Sequence, residues 1–433
     1  MTHLAAFYHI LANTLTVSVI NFTVWFAITF YVYLETQSVF ATGMISGVYL
    51  VATALSGIWF GSIVDHYKKK PVMMWSSVVS LVFYAISLAI YSTAAPDTFK
   101  EPSSVTLWAL VLCLMTGVMA GNIRMIALPT TVTILIPEQK RDKANGLIGA
   151  SSGVSFLVTS VISGFLVGLA GLWYVLILAL VVTAAAIAHI WWIAIPEKGI
   201  VHTGEDHKKI DLKGTFLVVK SVPGLLALIL FTTFNNFLGG VFMALMDAYG
   251  LSLVSVEAWG LIWGVLSLGF IVGGLIISKK GLGKNPLRTL FVANIICWAV
   301  SSVFTLQSSI VLLMIGMFAY LCLAPFIEAS EQTILQKVVP RERQGRVFGF
   351  AQSIEQAASP LTAFLIGPIT QFVFIPFMAT GAGVELIGGW FGTGADRGIA
   401  LVFTITGLIG LVVTFGAMAT KYYRQLSHHY LSS

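Results

Sequence analysis

The sequence predicts an all-α integral membrane protein with twelve transmembrane helices arranged as two pseudo-symmetric six-helix bundles. Three observations predict it. The 433 residues are 57% hydrophobic and only 10% charged, with a mean hydropathy of +0.91, and a soluble domain cannot keep that much apolar surface from water. Apolar runs of roughly twenty or more residues recur along the whole length, each long enough to cross a bilayer as a helix. Landmarks of the first half also return in the second at constant offsets.

The spans run roughly 9–33, 41–64, 71–93, 106–136, 143–169, 171–195, 220–247, 257–279, 287–306, 309–338, 344–377 and 398–421. Span 1 follows MTHLAAFYHI, which has no Lys or Arg and so lacks the basic region of a cleaved leader; the first helix is expected to be retained. Spans 2 and 3 are joined by a loop holding Lys68, Lys69 and Lys70, spans 4 and 5 by one holding Lys140, Arg141 and Lys143. After span 6 comes the longest polar stretch, PEKGIVHTGEDHKKIDLKG, residues 196–214, with five cations up to Lys220. Spans 8 and 9 enclose Lys279, Lys280, Lys284 and Arg288, spans 10 and 11 enclose Lys337, Arg341, Arg343 and Arg346, and Lys421 and Arg424 follow span 12. These alternate loops hold 21 of the 24 cations, the opposite loops only Lys100 and Arg397. Cations mark the cytoplasmic side. Both termini and the central linker are therefore expected there, in a multi-pass protein of the cell (inner) membrane. The net charge of +6 follows from this sidedness and does not indicate nucleic-acid binding. The expected domains are 1–195, a linker at 196–219 and 220–433. Within the linker DLKGTFLVVK, residues 211–220, reads as a short amphipathic segment on the membrane surface.

The repeat is visible at single residues. Pro137, Gly146 and Gly164 match Pro340, Gly349 and Gly367 at an offset of 203, and Gly47 and Gly57 match Gly264 and Gly274 at an offset of 217. Glu35 and Asp247 stand at the outer ends of the first helices of the two halves. Halves with an even number of spans insert the same way up, which is the parallel-repeat design with a solute path between the halves.

At the end of span 2 stands GSIVDHYKKK, residues 61–70. Gly-x-x-x-Asp followed by cations in that loop resembles the signature of the major facilitator superfamily. The resemblance implies that Gly61 allows close helix packing, and that Asp65, with Lys69 and Lys70, forms a latch closing the cytoplasmic side. A carboxylate against cations and helix N–H groups is a reasonable bistable contact on physical grounds as well. The chain departs from the family pattern at His66, where arginine is usual, and at Lys68, where glycine is frequent. The equivalent loop of the second half, SKKGLGKNP, has no acid. Within the superfamily the chain is similar to twelve-helix drug:proton antiporters of the macrolide and multidrug efflux type. NNFLGGVFMALMDAYGLSLVSVEAWG (235–260), RERQGRVFGFAQSIEQAASPLTAFLIGP (341–368) and GAGVELIGGWFGTGADRG (381–398) carry this likeness. The Gly-Pro-x-x-Gly-Gly group expected of exporters in span 5 is replaced by Thr159-Ser160-Val161-Ile162-Ser163-Gly164, with small residues but no proline.

Charges in hydrocarbon are costly and face a cavity or a partner. Four stand out: Arg124 in span 4, Glu328 and Glu331 in span 10, and Glu355 in span 11. Arg124 precedes Pro137, and Glu328 precedes Pro340, by distances that place both about 18–20 Å from the cytoplasmic helix ends, near mid-membrane. These four are the proton-coupling candidates, with an Arg124–Glu328 couple between the halves as the expected device; static pairing is the open alternative. For Glu331 and Glu355 the alternative is structural pairing or snorkelling toward the arginines. The substrate-pocket candidates are Asn21, Trp25, Phe26 and Tyr31 in span 1 and Phe234, Asn235 and Asn236 in span 7. Aromatic walls with a few amides suit amphiphilic solutes.

Cys113, Cys297 and Cys322 all fall within spans, without metal-ligand spacing. The sequence has no HExxH, no Gly-x-Ser-x-Gly and no nucleotide-binding loop. No metal or cofactor is expected, and the chain is expected not to be an enzyme. The expectation is a monomeric, proton-coupled exporter of amphiphilic compounds. The alternatives are a transporter of the same fold for one specific solute, such as a siderophore, lysolipid or nutrient, and a membrane-embedded enzyme or sensor. VELIGGWFG, residues 384–392, lies in a long external loop that reads equally as a lid or as a segment resting on lipid.

Overall fold

The computed structural model describes residues 2–36, 39–170, 172–196 and 211–432. Most of the expected linker, 197–210, lies outside the described residues. The helices are α1 (His3–Thr36), α2 (Val39–His66), α3 (Lys69–Thr93), α4 (Val105–Gly121), α5 (Arg124–Leu135), α6 (Arg141–Ala170), α7 (Leu172–Trp192), α8 (Leu212–Ser221), α9 (Leu225–Leu253), α10 (Val256–Lys280), α11 (Pro286–Val303), α12 (Ile310–Val338), α13 (Gln344–Ile369), α14 (Ile375–Ala379), α15 (Ala382–Leu386), α16 (Gly388–Phe391), α17 (Ala395–Ala419) and α18 (Lys421–Ser432). No strand occurs among the described residues. Eleven spans there are long and apolar enough to cross a membrane. The fifth expected span is α6, a helix of 30 residues, several of whose side chains beyond residue 159 lie outside the described set.

Polar residues start the helices where apolar runs begin. The hydroxyls of Ser104 and Ser255 accept from Leu107 N and Ala258 N at the starts of α4 and α10, and Asn285 Oδ1 accepts from Arg288 N ahead of Pro286 in α11. Each satisfies an N–H that the helix itself leaves open.

Two expected spans are interrupted. Span 4 is α4 and α5 with a tight turn at Asn122–Ile123, held by short-range bonds such as Met125 N to Asn122 O at 3.0 Å. Two causes meet there. Gly121 is pressed against the Asn21 amide, where a Cβ would overlap it. Pro129, inside α5, has no N–H to give to the turn before it and its ring crowds that turn. Span 11 runs as α13, a π-helical turn at Thr370–Phe374, and α14; Pro368 and Pro376 flank that turn and remove two ladder donors.

The chain forms two compact units. The first holds residues 1–141, 154–215 and 339–353, the second 142–153, 216–338 and 354–433. The first turns of α6 thus fall in the second unit and those of α13 in the first. The first unit is packed around Val24, Ile28, Tyr84, Leu114 and Leu176, the second around Tyr249, Leu313 and Phe403. Large apolar side chains such as Leu55, Phe364 and Val412 are 70–80% exposed, which suits a surface solvated by lipid.

Candidate functional site

The first cluster lies in the first unit, where the end of α2 meets the start of α13. It begins with glycines. A Cβ on Gly61 would overlap the Gly345 carbonyl, and one on Gly349 would overlap the Gly57 carbonyl. Backbone meets backbone, and only hydrogen side chains allow it. This approach delivers Asp65, 8% exposed, to the opening turn of α13. Its Oδ1 accepts from Gly345 N at 2.6 Å and its Oδ2 from Arg346 N at 2.8 Å. The carboxylate thus occupies the positive end of the helix, bonded to amides the helix cannot satisfy itself. Arg346 Nε approaches Asp65 Oδ2 at 4.0 Å.

Further partners, which the sequence reading did not assign, complete the cluster. Arg343 and Arg346 reach Asp211 Oδ2 at 3.5 and 3.8 Å. His66 Nδ1 lies 2.7 Å from the Ser62 carbonyl, and His66 Nε2 lies 2.9 Å from Arg346 Nη2. A carbonyl accepts and a guanidinium donates, so Nδ1 carries the proton and Nε2 is bare. The imidazole in this arrangement is neutral. Lys69 is close enough for its charge to act on Asp65, and Lys70 Nζ donates to Trp191 O at 2.8 Å. The available signal was positional: residue 66 is where the signature's usual cation is missing.

The second unit repeats the contact with other chemistry. A Cβ on Gly274 would overlap Ala150 N, and one on Gly146 would crowd Ile277, so the end of α10 packs on the start of α6 as α2 does on α13. The acid is carried by the other helix: Asp142 Oδ2 accepts from Leu282 N at 2.8 Å.

Arg124 is 1% exposed. Its Nη1 donates to Asn13 Oδ1 at 2.9 Å and Thr14 Oγ1 at 3.4 Å, and its Nη2 to Ser77 Oγ at 2.8 Å and Met73 O at 3.1 Å. All four acceptors are neutral and belong to α1 and α3 of the same unit. These bonds tie three helices of the first unit together. Asn13 continues the network to Ala186 O and His189 Nδ1 on α7.

In the second unit, Thr232 on α9 brings two of the predicted acids together. Its Oγ1 lies 2.7 Å from Glu355 Oε1 and 3.2 Å from Glu331 Oε1, so one hydroxyl bridges the two carboxyl groups. Glu331 is buried, Glu355 half-buried, and Glu328, one turn away on α12, is exposed.

The pocket candidates divide. Asn21 and Tyr31 are buried in the interior of the first unit; Asn21 Oδ1 accepts from Tyr84 O–H at 2.9 Å, and Tyr31 packs edge-on against Tyr91 and Phe99. Their contacts are those of packing residues. Trp25 and Phe26 are half-buried, and Trp25 stacks on Tyr49 at 4.0 Å, whose hydroxyl accepts from Asn122 Nδ2 at 3.3 Å. The sequence reading missed Tyr49 and Asn122. In the second unit Phe234, Asn235 and Asn236 are half-buried, with Asn235 Oδ1 accepting from Trp298 Nε1 at 2.7 Å and Asn236 Nδ2 donating to Thr232 O at 3.0 Å. Among the described residues no group of three or more metal-ligating side chains occurs.

Residues 10–363 match the family model of the Major Facilitator Superfamily. The chain belongs to this superfamily. It is a multi-pass membrane transporter, not an enzyme, of a superfamily that acts on small solutes. Within the superfamily it is 23% identical over 376 residues to macrolide efflux protein A of Streptococcus pyogenes, covering 83% of this chain and 88% of that one. A bacterial homologue of the iron transporter ferroportin in an outward-facing state has the same fold, with a TM-score of 0.69 at 14% identity, covering 96% of this chain and all of that one. The human organic anion transporter MFSD10 superposes with a TM-score of 0.68 at 13% identity and the same coverage. The proton:xylose symporter XylE superposes with a TM-score of 0.65 at 13% identity, covering 98% and 99%. These superfamily members differ widely in solute, so the likeness in structure speaks for the fold alone.

Proposed function

We propose that this protein is a proton-coupled exporter of amphiphilic compounds, such as macrolide-like molecules and lipophilic cations, working by alternating access as a monomer. The observation that carries proton coupling is the Glu331–Glu355 pair, joined by Thr232 inside the second unit. Acids buried within a span are costly unless they bind and release something. The relative named as a macrolide efflux protein supports the solute class and the direction. In this reading the α2–α13 contact around Asp65 is the cytoplasmic latch, and both termini lie on the cytoplasmic side of the cell's inner membrane. Trp25, Phe26, Phe234, Asn235 and Asn236 are half-buried on α1 and α9 and supply the solute surface, with Tyr49 and Asn122 beside Trp25.

A transporter of one specific solute is the second reading. The small, proline-free group Thr159–Gly164 in place of the exporter pattern weakens the case for export as the direction.

The test uses purified protein in liposomes with a pH dye inside. A pH gradient is set and macrolides, lipophilic cations and dyes are added in turn. Proton movement driven by several unrelated amphiphiles, absent from empty liposomes and reduced in Asp65→Asn, supports the first reading. Silence across the panel from folded protein moves the assignment to a specific solute.

A further inference from the structure

We propose that Glu331 and Glu355 bind one proton jointly, as a single carboxyl–carboxylate site, and that Thr232 is the positioning residue that holds the two side chains in register. The inference rests on the proton-coupled reading for its role in transport, but not for its existence.

The argument is an inventory of hydrogens. Ionised carboxylates only accept hydrogen bonds. Glu331 Oε1 and Glu355 Oε1 both lie within hydrogen-bond reach of the one Thr232 hydroxyl, so an arrangement that bonds both needs a second hydrogen. The Thr232 hydroxyl cannot supply it, since it has one hydrogen and four oxygen neighbours. Besides the two carboxyl oxygens, Leu228 O lies at 3.2 Å and Ile229 O at 3.0 Å. Both are carbonyls of its own helix, the usual acceptors of a threonine hydroxyl in mid-helix. If the hydroxyl donates to a carbonyl, the Glu355 oxygen at 2.7 Å must donate to it. If it donates to Glu355, the Glu331 oxygen at 3.2 Å has no hydrogen from that source. In the first arrangement one acid carries a proton; in the second, two ionised carboxylates would stand at one hydroxyl, and a proton on Glu331 supplies the missing bond.

The geometry also explains why one proton suffices. Two charges held at one hydroxyl repel, and one shared proton removes that repulsion. The other charged group facing the pair from the packed elements is Glu328, on α12 itself. α9 contributes the neutral Thr232, and α13 contributes Glu355. No cation reaches the pair by ion pairing among the described residues. Release is the simple step in which the shared acid proton leaves to water and two carboxylates remain. Those carboxylates must then separate or gain solvent, which is a reason for the surrounding helices to move.

Each acid therefore cannot titrate alone. Replacing either one by glutamine supplies an amide N–H where the shared proton stood, so the remaining carboxylate stays ionised and the packing is kept.

The experiment is infrared difference spectroscopy of the purified full-length protein through a pH titration, following the protonated-carboxyl C=O band, with the Glu331→Gln/Glu355→Gln double variant as baseline. Wild type is expected to show a band equal to one carboxyl. Both single variants are expected to lose it entirely. A band kept by either single variant, or a wild-type band equal to two carboxyls, overturns the proposal in favour of independent acids. Thr232→Val is expected to shift the titration midpoint, and Thr232→Ser to restore it. An unchanged midpoint in Thr232→Val overturns the positioning role. The liposome assay separates the two levels: if the single-proton band behaves as stated but the protein moves no protons with any solute, the joint site stands and the proton-coupled reading fails.

Discussion

Gly61 shows how a single hydrogen side chain can decide where a carboxylate goes. Its α-carbon faces the Gly345 carbonyl with no room for a Cβ, and both partners are backbone, which cannot turn aside. Gly61→Ala should therefore cost about 1–3 kcal/mol, the usual range for overpacking, read as a lower thermal unfolding midpoint in detergent and a matching fall in transport. Gly47 is a helical glycine with nothing within 4 Å of the place a Cβ would take, and Gly47→Ala should stay within about 0.5 kcal/mol of wild type. Equal effects at both sites would remove the packing argument. Arg124 is a second residue-scale case. Removing its guanidinium takes the donor from Asn13 Oδ1 and Ser77 Oγ, so Arg124→Gln should cost about 1–3 kcal/mol. Because its bonds run to α1 and α3, the loss should add to that of Glu328→Gln within about 0.5 kcal/mol. A coupling energy well above that would restore the expected couple. The sequence showed that Arg124 must be satisfied, since hydrocarbon demands it. It did not show by what, because neutral acceptors such as Asn13 and Ser77 look like any other small polar residues in a span.

Among the elements, the segment between α13 and α17 departs furthest from what its sequence suggested, which was a long loop. The structure folds it into the short helices α14, α15 and α16 and ties them down through Arg397, which is 2% exposed. Arg397 Nε donates to Phe391 O at 2.7 Å, its Nη2 to Thr305 O and Leu306 O at 2.8 and 2.9 Å, and its Nη1 to Ser308 Oγ and the Tyr249 hydroxyl oxygen. The guanidinium also lies 4.3 Å from the centre of the Phe391 ring. One side chain thus spans α9, the turn after α11 and α16. Arg397→Gln cannot reproduce this fork of donors. It should speed protease cleavage within residues 380–394 by about 10-fold, the equivalent of about 1.4 kcal/mol of local stability, while the rest of the chain resists as before. Cleavage unchanged from wild type would mean that the loop is held by something else. Arg397 was visible in the sequence only as an exception to the charge asymmetry, and its many carbonyl acceptors leave no trace in a sequence. The breaks in spans 4 and 11 were missed for a related reason. Apolar length is a property of a run of residues, whereas a kink depends on Pro129 and Gly121 meeting particular neighbours.

At the scale of the whole molecule the repeat was legible in part because four of its matched glycines are fixed by backbone contact. Gly57 meets Gly349 in one unit and Gly274 meets Gly146 in the other, while Gly47, Gly264 and Gly367 have nothing within 4 Å of the place a Cβ would take. The asymmetry between the two contacts is chemical. One has Asp65 and His66 on the helix that ends there, the other Asp142 on the helix that begins there, and only the first contains a histidine, whose charge changes near neutral pH. His66 accepts from Arg346 only while its Nε2 is bare. Arg346, which meets His66 Nε2, also approaches Asp65 and Asp211. A second proton on the ring removes the acceptor and sets one cation against another. The sign follows: this contribution to the α2–α13 contact is present when the imidazole is neutral and is lost as pH falls. Lowering the pH on that side of the membrane from about 8 to about 5.5, across the range where histidine takes up a proton, should loosen the contact. A spin label or fluorophore pair on the ends of α2 and α13 would report it as a growing population of long distances. His66→Gln keeps an uncharged acceptor at every pH and should reduce the response while leaving the contact formed, the remainder belonging to Asp65, whose protonation weakens its bonds to Gly345 N and Arg346 N. A response equally large in His66→Gln would assign it to another group, and none in wild type would show that the other bonds to α13, those of Asp65 to Gly345 N and Arg346 N, hold the contact without the histidine.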